Sequence, residues 1–302
     1  MAIRIGISGW RYAPWRGVFY PKGLPQRAEL EFAARCFASI EINGSFYSLQ
    51  TPESYSAWHD ATPDDFVFAV KGPRYLTHIL RLKNLDTPLA NFLASGVLRL
   101  GRKLGPILWQ LPPNFQYNAE VIEAFLAMLP RSHAQALAMA RRRDIARMRG
   151  RSALAIESDL PIRHAMEVRH ASFCDGAFLA QLRRHGVALV VADTAGKWPY
   201  AEDVTTDFVY LRLHGDTELY ASGYGDAALD RWRDRIDAWA RGREPDEARR
   251  IGGAWRPRRQ RDVYCYFDND AKVHAPFDAL ALMRRLGLPA WKDAPTVRPR
   301  GG

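Results

Sequence analysis

Eight short apolar segments recur along the chain, and amphipathic stretches separate most of them. The apolar segments are rich in Val, Ile and aromatic residues, which is typical of buried β-strands. The stretches between them carry apolar residues at helical spacing, and several end at a glycine, as a helix C-cap would. The predicted strands are 3–9, 39–43, 66–71, 106–111, 164–169, 187–193, 208–214 and 262–270.

This alternation of strand and helix predicts parallel strands joined by right-handed crossovers. Eight such units close into a (β/α)8 TIM barrel, and a length of 302 residues suits that fold. We therefore assign an α/β barrel of eight parallel strands in a single domain to residues 1–290, with an arginine-rich insertion near 131–160. Residues 291–302 are expected to form a flexible tail. An open doubly wound sheet is the alternative, but no GxGxxG turn follows the first strand.

The composition is that of a globular protein in water, with a net charge of +10. No apolar run approaches the roughly 20 residues that span a bilayer, and no signal-peptide pattern is present. We therefore expect a cytoplasmic location and no membrane partner. Cys36, Cys174 and Cys265 form no CxxC pair, and we expect all of them to be buried free thiols.

Charged or amide side chains stand at the ends of seven of the eight predicted strands. Active sites of TIM barrels lie at the C-terminal ends of the strands, so we expect these side chains to meet at one mouth. Carboxylates and imidazoles carry protons, and the catalytic candidates are Glu41, Glu167, His214 and His78. The other polar and aromatic candidates are assigned to substrate binding, namely Asn43, Tyr47, Lys71, Gln110, Arg169, Arg212, Tyr220, Tyr224, Asn269 and Asp270.

The seventh predicted strand places a cation and an imidazole on the same face, because Arg212 and His214 are two residues apart. Burying an unpaired charge is costly, so this face must meet charged partners or a solvated site. We expect the two side chains to meet charged groups of neighbouring strands, namely Glu167, Arg169 and Asp193. Structural ion pairing of the cations with Glu41, Glu167 and Asp193, and ligand binding, both explain the pattern.

Two segments, 140–151 and 249–261, are dense in arginine. Each falls between a helix and the next strand, which in a barrel is the face opposite to the active site. We interpret them as solvated loops or, alternatively, as a nucleic-acid contact on that opposite face.

Seven motifs spread from about residue 3 to residue 287 resemble those of the YecE-like family, the domain of unknown function 72. They are GISGWRYAPWRGVFYP, IEINGSFYSL, FVFAVKGPRYLTH, LGPILWQLPPNF, AMEVRHASF, VYLRLHG and YFDNDAKVHAP. The resemblance implies a TIM barrel and a site, but no reaction. The family's signature polar positions correspond to Glu41, Asn43, Lys71, Thr77, His78, Gln110, Glu167, Arg169, Arg212, His214, Asn269 and Asp270. This chain departs from the pattern at Ile7, where threonine is usual, and at Asp268, where asparagine is more frequent.

Three functions fit these residues. The first is an enzyme that binds a small anionic, ring-bearing substrate, a sugar phosphate or a nucleotide, and uses carboxylate and histidine acid–base chemistry. The second is a metal-dependent hydrolase or phosphodiesterase acting on nucleic acid, with ligands drawn from Glu167, Asp193, His214 and Asp268 or Asp270. The third is a non-enzymatic nucleic-acid-binding module that uses the arginine loops. Because arginine and lysine crowd the same strand ends, we assign no metal ligand, and the cofactor is left unknown.

Overall fold

The structure is a computed structural model of the chain, and it describes residues 1–253, 260–289, 291 and 294–295. The described residues form a closed barrel of eight parallel strands in the order β1 to β8. The predicted (β/α)8 barrel is therefore confirmed. The strands are β1 Ile3–Ser8, β2 Ser39–Ile42, β3 Val67–Lys71, β4 Leu104–Gln110, β5 His164–Glu167, β6 Val187–Asp193, β7 Phe208–Leu213 and β8 Asp262–Phe267.

Helices follow the strands, as the amphipathic stretches predicted. They are α1 Glu29–Cys36, α2 Gly44–Tyr47, α3 Pro52–Asp60, α4 Asp86–Ala94, α5 Ala119–Met128, α6 His133–Ala140, α7 Ile145–Met148, α8 Gly176–His185, α9 Asp226–Ala240 and α10 Ala275–Arg285. Helix α8 shows how the sequence sets the boundaries. The carboxylate of Asp175 accepts a hydrogen bond from the Ala177 amide at the helix start, and Gly186 ends the helix with a φ of 58°.

The chain divides into two compact units. The terminal unit comprises Met1–Glu41 and Ala188–Gly302, and the central unit comprises Ile42–Val187. In the terminal unit β1 pairs with β2 and β8, and β7 pairs with β6 and β8. In the central unit β4 pairs with β3 and β5. The strands are buried along nearly their whole length, as expected for parallel strands covered on both faces.

The arginine-rich segment of the central unit does not lie where the sequence placed it. Ser132, just before α6, forms a bridge with Pro161, which precedes β5. Beyond the other end of α6, the guanidinium of Arg147 lies 5.5 Å from the ring of Tyr75, in the loop that follows β3. Helix α6 thus returns the chain to the carboxyl ends of the strands, and the predicted position of 140–151 on the opposite face is wrong.

Three further expectations concern the cysteines, membrane-spanning helices and the C-terminal tail. Cys36 and Cys265 are buried free thiols, but Cys174 is exposed because it lies in the loop between β5 and α8, which corrects the expectation for that residue. No helix in the described ranges is long and apolar enough to cross a bilayer. The tail expected at 291–302 lies outside the described residues except for 291, 294 and 295, and so do residues 254–259 of the second arginine-rich segment.

Candidate functional site

The carboxyl end of β3 leads into a cluster of basic side chains in the central unit. Lys71 is the last residue of β3 and is 7% exposed. It is followed by a single π-helical turn, Tyr75–Ile79, a form that occurs frequently at functional sites. This turn carries His78, whose Nδ1 lies 2.9 Å from the hydroxyl of Thr77. We call the cations Lys71, Arg74 and Arg169, together with the imidazole of His78, the cationic cluster.

The backbone after this turn is strained. Arg81, Leu82 and Asn84 have φ values of 50°, 62° and 54°, in the left-handed region that residues other than glycine rarely adopt. Such conformations cost of order 1–3 kcal/mol each and concentrate at binding and catalytic loops. The strain therefore supports a functional interpretation of the β3 loop.

An aromatic ring packs against two members of the cationic cluster. The Nζ of Lys71 is 4.3 Å from the ring centroid of Phe46, and the His78 ring packs edge-on against Phe46 at 5.1 Å. The hydroxyl of Ser45 donates to the Lys71 carbonyl at 2.7 Å, which ties helix α2 to β3. Tyr47 follows with 72% of its side chain exposed. A predicted substrate-binding residue, Tyr47 is thus positioned beside the cluster and available to a ligand.

Arg169 reaches the same cluster from the end of β5. Its Nε donates to the buried carboxylate of Glu167 at 2.6 Å, and one Nη donates to Gln110 at 3.1 Å. Glu167 is fully buried, and the Arg169 side chain is only 9% exposed. The two side chains are therefore held in one geometry, in which the carboxylate of Glu167 orients the guanidinium of Arg169.

The electrostatic setting of His78 follows from this arrangement. Partial burial and then the positive charges of Lys71, Arg74 and Arg169, in that order, together lower the pKa of His78 from 6.5 to about 4, while Glu167 opposes them. His78 is therefore a neutral imidazole at neutral pH.

The terminal unit contains a second set of predicted residues, built around a fully buried ion pair. Arg212 donates to both carboxylate oxygens of Glu41, at 3.1 Å and 2.9 Å. The hydroxyl of Tyr210 donates to Glu41 at 2.6 Å, and the hydroxyl of Ser8 also donates to it. Charge pairing of Arg212 was expected, and Glu41 is one of the carboxylates named for it, whereas the other expected partner Asp193 accepts a hydrogen bond from Tyr224.

His214 belongs to the same network. Its Nδ1 lies 3.0 Å from Oδ2 of Asp268, and its Nε2 accepts from Arg212 at 3.4 Å. Asp268 also accepts from Arg212 at 2.7 Å. His214 is fully buried. One ring nitrogen faces Asp268 and the other faces Arg212, so the imidazole holds both side chains in position.

Asp270 is a carboxyl group of the terminal unit whose pKa is shifted toward neutral pH. Burial raises its pKa from 3.8 to about 6, and repulsion from Asp268 adds to the shift. A carboxyl group with such a pKa donates and accepts protons near neutral pH. The sequence assigned Asp270 to substrate binding, and that assignment stays a prediction.

The remaining predicted residues of the terminal unit shape the loops after β7 and β8. Tyr224 is 6% exposed, donates to Asp193 and accepts from the Gly215 amide. Asn269 is buried and donates to the Ser222 carbonyl at 2.9 Å. Tyr220 has a φ of 64°, and its ring packs edge-on against His214 at 5.3 Å. These contacts fix the backbone around the network.

Within the described residues, no three His, Cys, Asp or Glu side chains are grouped as metal ligands. Two of the carboxylates considered for a metal, Asp268 and Glu167, receive arginine donors. The predicted site residues thus form two clusters, one in each unit. That they share one mouth stays a prediction.

The fold and these clusters define a (β/α)8 barrel protein with charged groups at its strand ends. The chain matches, over residues 4–300, the family described as protein of unknown function DUF72, and it belongs to that family. The family recognised from the sequence motifs is therefore confirmed.

Relatives of known sequence and structure agree with this membership. The chain is 31% identical to UPF0759 protein YecE of Escherichia coli K12 over 137 residues, 39% of this chain and 48% of YecE. It is 28% identical to UPF0759 protein YunF of Bacillus subtilis over 123 residues, 39% of this chain and 43% of YunF. The chain thus spans about half the length of the curated relatives it matches. A DUF72 family protein of Thermotoga maritima has a TM-score of 0.71 at 23% identity, with 95% of this chain and 100% of that one covered, and it shares the fold.

Proposed function

We propose that the protein is an enzyme that binds a small anionic, ring-bearing molecule, a sugar phosphate or a nucleotide, at the cationic cluster. The observation that supports this is the grouping of cations near His78: Lys71 and His78 both pack on Phe46, and burial together with the charges of Lys71, Arg74 and Arg169 lowers the pKa of His78 to about 4. Guanidinium and ammonium groups match phosphate and carboxylate oxygens. A bound anion would relieve the repulsion between the cations of the cluster.

Aromatic side chains supply the second half of the recognition. Phe46 lies within contact of both Lys71 and His78, and Tyr47 exposes its ring beside it. Aromatic faces and edges bind sugar rings and nucleobases. A substrate that carries a ring and an anionic group would therefore satisfy both features.

His78 carries the proton in this proposal. A unit negative charge about 5 Å from the imidazole, at an effective dielectric constant of about 20, stabilises the imidazolium by about 3 kcal/mol. That energy corresponds to about 2 pKa units, so anion binding would raise the pKa of His78 from about 4 to about 6. The substrate thus converts a neutral imidazole into a proton donor near neutral pH.

We also propose an acid–base group in the terminal unit, namely Asp270. Its pKa of about 6 reflects burial and the neighbouring Asp268. Glu41 and His214 were predicted as catalytic residues, but their polar atoms contact Arg212, Ser8, Tyr210 and Asp268. Asp270 is therefore the better candidate for proton transfer in that unit.

The test is a thermal-shift screen of phosphorylated sugars and nucleotides, followed by calorimetry on each compound that stabilises the protein. Lys71→Met should weaken binding at least tenfold, because it removes a buried cation of the cluster. Lys22→Met, at an exposed position of the terminal unit, is the matched control and should bind as the parent does. Absence of binding to every phosphorylated compound would refute the proposal.

A further inference from the structure

Exposed apolar side chains concentrate on one part of the central unit. Among the described residues, the large apolar side chains that are exposed are Met1, Tyr47, Leu49, Tyr75, Ile79 and Ile145. All except Met1 belong to the loops after β2 and β3 and to the start of α7. Single exposed apolar residues are ordinary, but a concentration of them marks a binding surface.

A groove runs through this surface. It has a volume of 380 Å³ and lies between two stretches of the chain, residues 49–50 and residues 146–151. Three arginines line it, Arg147, Arg149 and Arg151. We call this feature the arginine groove. The guanidinium of Arg147 stacks on Tyr75 at 5.5 Å, so the groove and the exposed tyrosines form one surface.

The charge of the groove is not neutralised within the described part of the chain. Arg147, Arg149 and Arg151 are exposed, and no carboxylate described here lies within ion-pair distance of them. Asp144 is the acidic residue of the segment 140–151, and its carboxylate accepts the backbone amide of Arg147 at the start of α7. The groove is therefore positive and open to an anionic partner.

We propose that the arginine groove, with Tyr47 and Tyr75, binds single-stranded nucleic acid. Arginine guanidinium groups contact successive phosphates, and the two tyrosine rings stack on bases. Tyr47 and Tyr75 are 72% and 39% exposed, and rings presented in this way can stack only on bases that are not paired in a duplex. A polyanion that offers charge alone would contact the arginines but not the exposed aromatic rings. Single-stranded nucleic acid would contact both.

The proposed surface adjoins the small-anion site and shares Tyr47 with it, but its arginines are separate. Lys71 and His78 are not in the groove, and loss of small-anion binding would leave Arg147, Arg149 and Arg151 unchanged. The two surfaces meet at the π-helical turn, because Tyr75 and His78 belong to it.

The test is fluorescence anisotropy of a labelled twelve-residue oligothymidylate with the whole protein, over a series of salt concentrations. Each phosphate contact on a single strand contributes about 0.7 to the slope of log affinity against log salt concentration. The variant R147Q/R149Q/R151Q should therefore lower the magnitude of the slope by about 2 and the affinity at 0.1 M salt by about 100-fold. Tyr75→Ala should weaken binding by about 5- to 150-fold, and Tyr75→Phe should retain the affinity, because stacking needs the ring alone.

A matched control separates the groove from overall charge. R27Q/R102Q/R284Q removes three exposed arginines located elsewhere, and it should leave the affinity within about twofold of the parent protein after correction for net charge. An equal loss in both triple variants would overturn the proposal, as would tighter binding to a duplex of the same length. Binding to phosphatidylserine vesicles without binding to the oligonucleotide would overturn it as well. The Lys71→Met variant should bind the oligonucleotide as tightly as the parent protein does. Loss of small-anion binding is thereby distinguished from loss of oligonucleotide binding.

Discussion

Two carboxylates follow β8, those of Asp268 and Asp270. Replacing each of them by asparagine should change the free energy of unfolding in opposite directions. Folding raises the pKa of Asp270 from 3.8 to about 6, so the native state holds this proton more strongly than the unfolded chain does. The contribution of Asp270 to the free energy of unfolding is therefore greatest below about pH 4, falls between pH 4 and pH 6, and above pH 6 includes the full cost of the buried, charged carboxylate. Asp270→Asn should remove that cost.

The size of the effect follows from the pKa difference. A shift of about 2 units corresponds to about 3 kcal/mol, and because Asp270 stays partly exposed we expect a gain of about 1–2 kcal/mol at pH 8. Asp268→Asn is the matched comparison. Asp268 accepts from the buried Arg212 at 2.7 Å, so its neutralisation should lower the free energy of unfolding by about 1.5–3 kcal/mol at pH 8.

Urea denaturation of both variants and the parent protein at pH 4 and pH 8 measures these differences. The gain in the free energy of unfolding from Asp270→Asn, relative to the parent protein, should disappear at pH 4, where Asp270 is protonated in the native state. A stability of Asp270→Asn equal to or below that of the parent protein at pH 8 would refute the reasoning. So would an advantage of the same size at both pH values.

Three other substitutions test the network and the loops. Arg212→Leu leaves Glu41 buried without its cation, and we expect a loss of about 3–5 kcal/mol in urea denaturation; a loss below 1 kcal/mol would contradict the buried ion pair. Gly215→Ala should destabilise by at least about 1 kcal/mol, since φ is 128° and a Cβ would lie 2.3 Å from the Glu218 carbonyl oxygen; unchanged stability would show that the loop is not held as described. Lys71→Met should raise the pKa of His78 above its value of about 4, measured by NMR titration, because the charge of Lys71 lowers it; an unchanged pKa would mean that burial alone sets it.

The barrel was predictable because each strand is a short run of β-branched and aromatic residues between helical patterns. The predicted segment 187–193 and the observed β6 coincide, and the other strands differ by a few residues at their ends. Polar residues at the ends of such strands stand out, which is why Glu41, Lys71 and Arg212 could be identified as site candidates.

The partners of these residues were harder to predict. Which carboxylate meets Arg212 depends on the stagger of neighbouring strands around the barrel, and Glu41 is 171 residues away in sequence. The raised pKa of Asp270 depends on burial and on Asp268, which no pattern reports. The arginine-rich segment 140–151 was misplaced because the prediction took it as one return loop, whereas α6 reverses the chain direction before Arg147.

The most direct test of the account is the pKa of His78 with and without a bound anion. His78 is one of eight histidines, so its resonance is assigned with His78→Gln and followed by NMR over pH 3 to pH 8. We expect a pKa of about 4 in the free protein and about 6 with saturating inorganic phosphate, the latter from the Coulomb energy of one bound charge. A pKa near 6.5 in the free protein, or a value that phosphate does not change, would contradict the small-anion site at the cationic cluster.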